Sequence, residues 1–169
     1  MCEYCGCQAV EAIEVLTAEH DAVVNLIGTA RAAAQQADVV TAAATARDIA
    51  AVLAPHTVVE EEGLFPALAE ESEDHAGHVE QLRGEHRRIE AVLAEAVDAP
   101  GPLRVPVDPA WPTRLLGALE LLREHILKEQ DGAFPAALSC LRPEQWARVD
   151  AVRARVVARW ETPGAAALR

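Results

Sequence analysis

A twelve-residue pattern occurs twice in this chain, with six positions identical. The stretch His56-Thr-Val-Val-Glu60-Glu-Glu-Gly63-Leu-Phe65-Pro66-Ala67 recurs 69 residues later as His125-Ile-Leu-Lys-Glu129-Gln-Asp-Gly132-Ala-Phe134-Pro135-Ala136. There is no gap, and His, Glu, Gly, Phe, Pro and Ala are identical in both copies. Upstream, Glu19-His20 and Glu85-His86 form a second matched pair, 66 residues apart. Self-similarity on this scale marks a repeated supersecondary unit. The chain therefore reads as two hairpins, each bearing one lone histidine and then one His-x-x-x-Glu.

The residues around the repeat say what kind of hairpin. Ile13, Leu16, Val23, Val24 and Ile27 recur at helical spacing between Ala9 and Gln36. A second helix, capped by Asp38 or Thr41, carries Ile49, Val52, Leu53 and Val59 and runs to about Leu64. Pro55 lies inside it and predicts a bend. A third helix from about Asp74 to Val97 points Val79, Leu82, Ile89, Val92 and Leu93 inward. A fourth starts near Pro112, a residue suited to a first turn, and continues to about Ala133. Aromatics are only 4% of the chain, so Ala and aliphatic residues must fill the interior, which favours helix over sheet. The expected fold is all-α: an up-down four-helix bundle of two duplicated hairpins, plus a short C-terminal helix opened by Pro143-Glu144. In domain terms, residues 1–8 read as a cysteine-rich tail, 9–139 as the bundle, and 140–169 as the C-terminal helix with a frayed end.

Charge narrows the partners. Asp and Glu number 27 against 15 Lys and Arg, a net charge of −12, which argues against nucleic acid and anionic membrane. No run of about 18 apolar residues offers a membrane span. No basic stretch followed by an apolar run marks a signal peptide, so a cytoplasmic location is expected.

The histidines carry the chemistry. Positions i and i+4 share one face of a helix, so His56 with Glu60, and His125 with Glu129, can both point inward. With His20 and His86, each long helix contributes at least one ligand-type side chain. Six such groups in an aliphatic interior are costly unless paired, and a metal removes that cost. Four imidazoles and two carboxylates exceed one tetrahedral zinc. They suit two ions of iron or manganese, with exogenous oxygen completing the shells and one position left open. The Glu-x-x-His pattern of ferritin-like bundles is absent: the residues three before each histidine are Thr17, Leu53, Ser72, His75, Arg83 and Leu122.

The ordered set His20, His56-x-x-x-Glu60, His86, His125-x-x-x-Glu129 resembles the hemerythrin-like (hemerythrin HHE cation-binding) family over roughly residues 9–139. The resemblance implies a bundle holding two non-haem iron ions with a bridging oxo or hydroxo group. Glu60 and Glu129 would bridge the ions, and His20, His56, His86 and His125 would be terminal ligands. Oxygen-carrying hemerythrins have a fifth histidine, in a His-x-x-x-His pair on the third helix; here His86 has Leu82 before it and Glu90 after it. The pattern resembles the bacterial four-histidine branch, linked to handling of O2, peroxide or nitric oxide and to iron–sulfur repair. The partner expected is therefore a small diatomic or peroxide ligand. The alternative reading is an iron or redox sensor, or an iron donor.

The remaining motifs are read more plainly. Glu90 makes a third His-x-x-x-Glu but corresponds to Val24 in the other hairpin. His75 and His78 lack repeat partners and read as surface residues. Phe65-Pro66 and Phe134-Pro135 read as packing and helix-end signals. Cys2, Cys5 and Cys7 crowd the N-terminus and Cys140 lies far off. Such thiols can form a redox pair or hold a metal, and a tail folded over the bundle could pass electrons from a protein redox partner.

Overall fold

A computed structural model of the chain describes residues 7–160. Helix α1 spans Cys7–Gln35 and α2 Val39–Val59. Asp38 caps α2, its carboxylate accepting from the Thr41 N–H at 3.0 Å. Helix α3 (Phe65–Ala69) follows, then α4 (Glu73–Val97), where the Ser72 hydroxyl accepts from the His75 N–H at 3.1 Å. Helix α5 (Trp111–Lys128), α6 (Phe134–Cys140) and α7 (Pro143–Trp160) complete the chain. No strand occurs among the described residues, and none of their helices is long and apolar enough to cross a membrane.

Both hairpins share one irregularity. After Val59 the backbone widens into a π-helical turn at Glu60–Leu64 before α3, and after Lys128 it does the same at Glu129–Ala133 before α6. The Phe65 N–H donates to the Glu60 carbonyl and the Phe134 N–H to the Glu129 carbonyl, each a five-residue step. The prolines at 66 and 135 account for this. In a regular α-helix each ring would strike the carbonyl four residues back, at Glu62 or Asp131; the wider turn moves that carbonyl aside. Arg83 Nη2 donates to the Glu61 carbonyl at 3.1 Å, satisfying a group that the altered ladder leaves over. The Phe-Pro pairs thus mark a widening, and the helical path runs on to Ala69 and Cys140. Pro55 does not interrupt α2, which stays α-helical on both sides of it; the ladder changes at Glu60 instead.

The apolar interior falls into two clusters. One gathers Val23, Ile27, Ile49, Leu53, Ile89, Leu93, Trp111, Leu115, Leu119 and Leu122. The other gathers Leu16, Val59, Leu64, Phe65, Leu82, Phe134 and the inner face of α7: Trp146, Val149, Val152 and Val156. Helix α7 presses closely on the first π turn, where a Cβ on Gly63 would lie 3.3 Å from the Val149 Cα. Val24, expected inside, is exposed, because Val23 beside it takes the inward position. Along α1, α2, α4 and α5 with its π turn, the chain passes from one cluster to the other through a polar residue: Leu16–His20–Val23, Leu53–His56–Val59, Leu82–His86–Ile89 and Leu122–His125–Ala133. A polar layer therefore separates two greasy ones.

Candidate metal centre

That layer holds all six donors named from the sequence. His20, His56, His86 and His125 are 1–6% exposed, and Glu60 and Glu129 are fully buried. Their donor atoms form two groups, His20–His56–Glu60–Glu129 and Glu60–His86–His125–Glu129, each within 4.8 Å of one another. Both carboxylates belong to both groups. Each histidine turns Nε2 inward: His20 Nε2 lies 3.2 Å from Glu129 Oε2, and His56 Nε2 lies 3.3 Å from Glu60 Oε1. His86 Nε2 lies 3.4 Å from Glu60 Oε2, and His125 Nε2 lies 3.0 Å from Glu129 Oε1.

These contacts fall within ion-pair distance, yet all four oxygens of Glu60 and Glu129 lack a hydrogen-bond partner. Two uncompensated carboxylates in an apolar interior would be very costly. Electrostatics reports the same tension. Burial opposes a charge on His56, but Glu60, Glu19 and Glu129 outweigh it and lift its pKa to about 10. His125 is raised against burial by Glu129, Glu60 and Glu85. Burial likewise works against the charge of Glu129, and the facing His125 and His20 hold its carboxyl far below the usual range.

What turns Nε2 inward is a set of outer carboxylates that the sequence reading missed. His56 Nδ1 lies 2.7 Å from Glu19 Oε2, His86 Nδ1 2.9 Å from Glu61 Oε1, and His125 Nδ1 3.0 Å from Glu85 Oε2. Each sits next in sequence to an inner donor (Glu19 to His20, Glu61 to Glu60, Glu85 to His86), so that adjacency was the available signal. Glu85 is buried and also accepts from Lys128 Nζ at 2.5 Å and Gln81 Nε2 at 3.2 Å. Burial opposes its ionisation, but Lys128, His125 and Gln81 hold it below the ordinary carboxylate range. An ionised carboxylate only accepts, so the facing Nδ1 donates to it, and Nε2 is the nitrogen left to bind a metal, which displaces any proton it carries. His86 Nε2 and His125 Nε2 are 2.8 Å apart, close enough for one cation to take both. The orphaned oxygens and opposed nitrogens together fit a metal.

The phenylalanines of the repeat also touch the centre. Phe134 stacks on His20, with ring centroids 5.4 Å apart and planes 5° from parallel, and Phe65 stacks on His86 at 5.7 Å and 18°. A cavity of about 10 Å3 adjoins the four histidines and is walled by Leu53, Ile89, Leu122 and Ile126. Thr57 and Glu90 also line it, and of the lining residues Glu90 alone is exposed. Glu90 belongs to neither donor group. It hydrogen-bonds with Thr57; partial burial raises its pKa, with Glu61 adding to the rise and His86 and Thr57 opposing it.

Other sequence motifs lie away from this layer. His75 and His78 are half-buried rather than superficial, with His75 Nδ1 and His78 Nε2 enclosed and unpartnered. The His78 ring folds toward Gly132, whose position leaves room for it. Cys140 packs, half-buried, against the cluster that includes α7. Cys2 and Cys5 lie outside the described residues.

A bundle of four long helices with a buried layer of four histidines and two shared glutamates defines a metal-binding helical protein. The hemerythrin HHE cation binding domain matches residues 11–137, most of the chain, and the chain belongs to that family. Among curated proteins and among solved structures, nothing matches it.

Proposed function

We propose that this protein holds two iron ions in the polar layer and uses them to bind or reduce a small oxidant: O2, peroxide or nitric oxide. The observation that carries the reading is the sharing of both carboxylates between two donor groups. One ion per group would give a partner to every oxygen of Glu60 and Glu129, all four of which are buried without one. His20 and His56 would serve one ion, and His86 and His125 the other. Mixed imidazole and carboxylate donors with positions left over suit iron. Bound there, the ions supply an open coordination position and electrons for the oxidant.

The chain's own residues set the conditions. Glu19, Glu61 and Glu85 keep three histidines oriented through Nδ1, as outer carboxylates do for metal-bound imidazoles. Leu53, Ile89, Leu122 and Ile126 keep bulk water from the layer. The cavity they wall has room for about one water-sized molecule, which favours a diatomic or peroxide over any larger substrate. Glu90, the exposed lining residue, stands on its solvent side, where a polar ligand would pass.

The test is elemental analysis with optical spectra of anaerobically purified protein, followed by rapid mixing with O2, peroxide and nitric oxide. About two irons per chain, with charge-transfer bands appearing on exposure to one of the three, is the expected result. A folded protein that takes up no iron would overturn the reading.

A further inference from the structure

The outer carboxylates follow the internal duplication, and the duplication exposes a missing one. Glu19 on α1 reaches His56 on α2, and its counterpart Glu85 on α4 reaches His125 on α5. Glu61, at the first π turn, reaches His86 on α4. The symmetric fourth contact would run from the second π turn to His20 on α1. The residue there, at the 69-residue spacing from Glu61, is Gln130. His20 Nδ1 is correspondingly buried without a hydrogen-bond partner among the described residues. Three links pass round the bundle, α1 to α2 to α4 to α5, and the ring is open between α5 and α1.

Taking the metal centre proposed above as the basis, we infer that the two metal positions are unequal, and that the one served by His20 holds its ion less firmly and exchanges it first. The position of His86 and His125 has both imidazoles anchored by carboxylates, one of them the buried, lysine-paired Glu85. The position of His20 and His56 has one anchored imidazole. His20 is oriented by the stacked Phe134 ring, which fixes the plane of the imidazole but neither its tautomer nor its basicity. Loss of such an outer partner typically costs about 10–100-fold in metal affinity. The protein would then carry one resident ion and one exchangeable ion in a single bridged site.

Release of iron from the loaded full-length protein to a chromophoric ferrous chelator, under anaerobic conditions, tests this. The wild type should lose iron in two phases of about one ion each, with rates at least about tenfold apart. Gln130→Glu, which restores the fourth carboxylate, should slow the fast phase toward the slow one. Glu61→Gln, which opens the ring at His86 too, should speed the slow phase. Single-phase release of two ions from the wild type would overturn the inference while leaving the metal centre intact. So would a folded, two-iron Gln130→Glu whose fast phase is unchanged. If Gln130→Glu fails to fold, Glu61→Gln decides: an unchanged slow phase overturns the proposal. A wild type that binds no iron removes the centre itself, and the inference with it.

Discussion

The two hairpins agree at their centre and diverge with distance from it. Both keep a lone histidine, a His-x-x-x-Glu, a π turn that starts at the glutamate, and a phenylalanine stacked on the other hairpin's lone histidine. One step further out, Glu61 faces Gln130 across the duplication. Two steps out, Gly63 lies under the backbone of α7 while Gly132 lies beside the His78 side chain. The gradient has a physical cause. Glu60 and Glu129 each serve both donor groups, so a change at either disturbs the whole layer, whereas an outer carboxylate serves one imidazole and its loss is local.

The harshest way to break the comparison is at the shared residues. Glu60→Gln and Glu129→Gln should each reduce iron to below about one ion per chain, because each takes a bridging donor from both groups. His56→Ala, which touches one group, should retain about one. Elemental analysis of the purified variants, with helicity checked by circular dichroism, separates the two patterns. Equal metal content in Glu60→Gln and His56→Ala would show that the carboxylates are not shared.

A smaller effect should sharpen the contrast between the two histidines that open each hairpin. His86 has both a ring stacked on it and the carboxylate of Glu61 at Nδ1; His20 has the ring of Phe134 and, among the described residues, no hydrogen-bond partner at Nδ1. Phe134→Leu and Phe65→Leu remove the rings while keeping most of the buried volume, at a similar cost of about 1–2 kcal/mol in stability. Iron affinity should nonetheless fall about tenfold further in Phe134→Leu, since His20, unlike His86, has no outer carboxylate to hold its ring once the stacked phenyl is gone. Competition titration against a chelator reads this, and equal losses would refute it.

How far the sequence reached follows the same gradient. The convergence of the six side chains was legible because helical spacing and the duplicated His-x-x-x-Glu both report on one helix face, and the two-hairpin bundle came with it. The outer carboxylates were not legible as such. Glu19, Glu61 and Glu85 act across helices, and nothing in a 3.6-residue period distinguishes them from the many solvated glutamates nearby. The π turns were half-legible: Phe-Pro stood out in both copies, but a proline that ends a helix and one that widens it look alike until the path beyond is seen. Val24 misled because two adjacent valines offer the periodicity two phases. The backbone of α7 over Gly63 depends on a tertiary contact that no local pattern encodes.

Protons and metal compete for the same atoms, which gives the next effect in size. His56 and His125 are raised in the folded chain. Their pairing therefore stabilises metal-stripped protein fully below an unfolded value of about 6.5, and that contribution is lost as pH climbs, through about 10 for His56. Glu129 is depressed, so its contribution is present above the ordinary carboxylate value of about 4.5 and fades as pH falls toward its folded value. Stripped protein should thus be most stable between about pH 4.5 and 6.5, losing roughly 5 °C in Tm by pH 9. Iron needs neutral imidazoles, so the loaded protein should gain relative to the stripped one over the same rise. Thermal melts of both forms across that range check the sign.

The smallest effect probes the outermost difference. An alanine at Gly132 would place its Cβ 3.7 Å from His78 Nε2, an ordinary contact with the end of a side chain; at Gly63 the Cβ meets the Val149 Cα at 3.3 Å. Replacing glycine by alanine in a helical segment gains about 0.5–1 kcal/mol from reduced chain entropy, and that gain is common to both sites. At Gly63 it is opposed by overpacking, because a backbone atom in the middle of α7 can yield only by moving the whole helix, with Trp146 and Val152 attached to the core on either side of the contact. Gly132→Ala should therefore match or exceed the wild type in stability, and Gly63→Ala should fall about 1 kcal/mol below Gly132→Ala. Comparing the two variants in urea melts cancels the shared entropy term and isolates the pressure of α7. Iron content should be unchanged in both, since neither residue contributes a donor. Equal stabilities would mean that α7 rests on the first π turn loosely enough to shift, and that the hairpins differ there in sequence context alone.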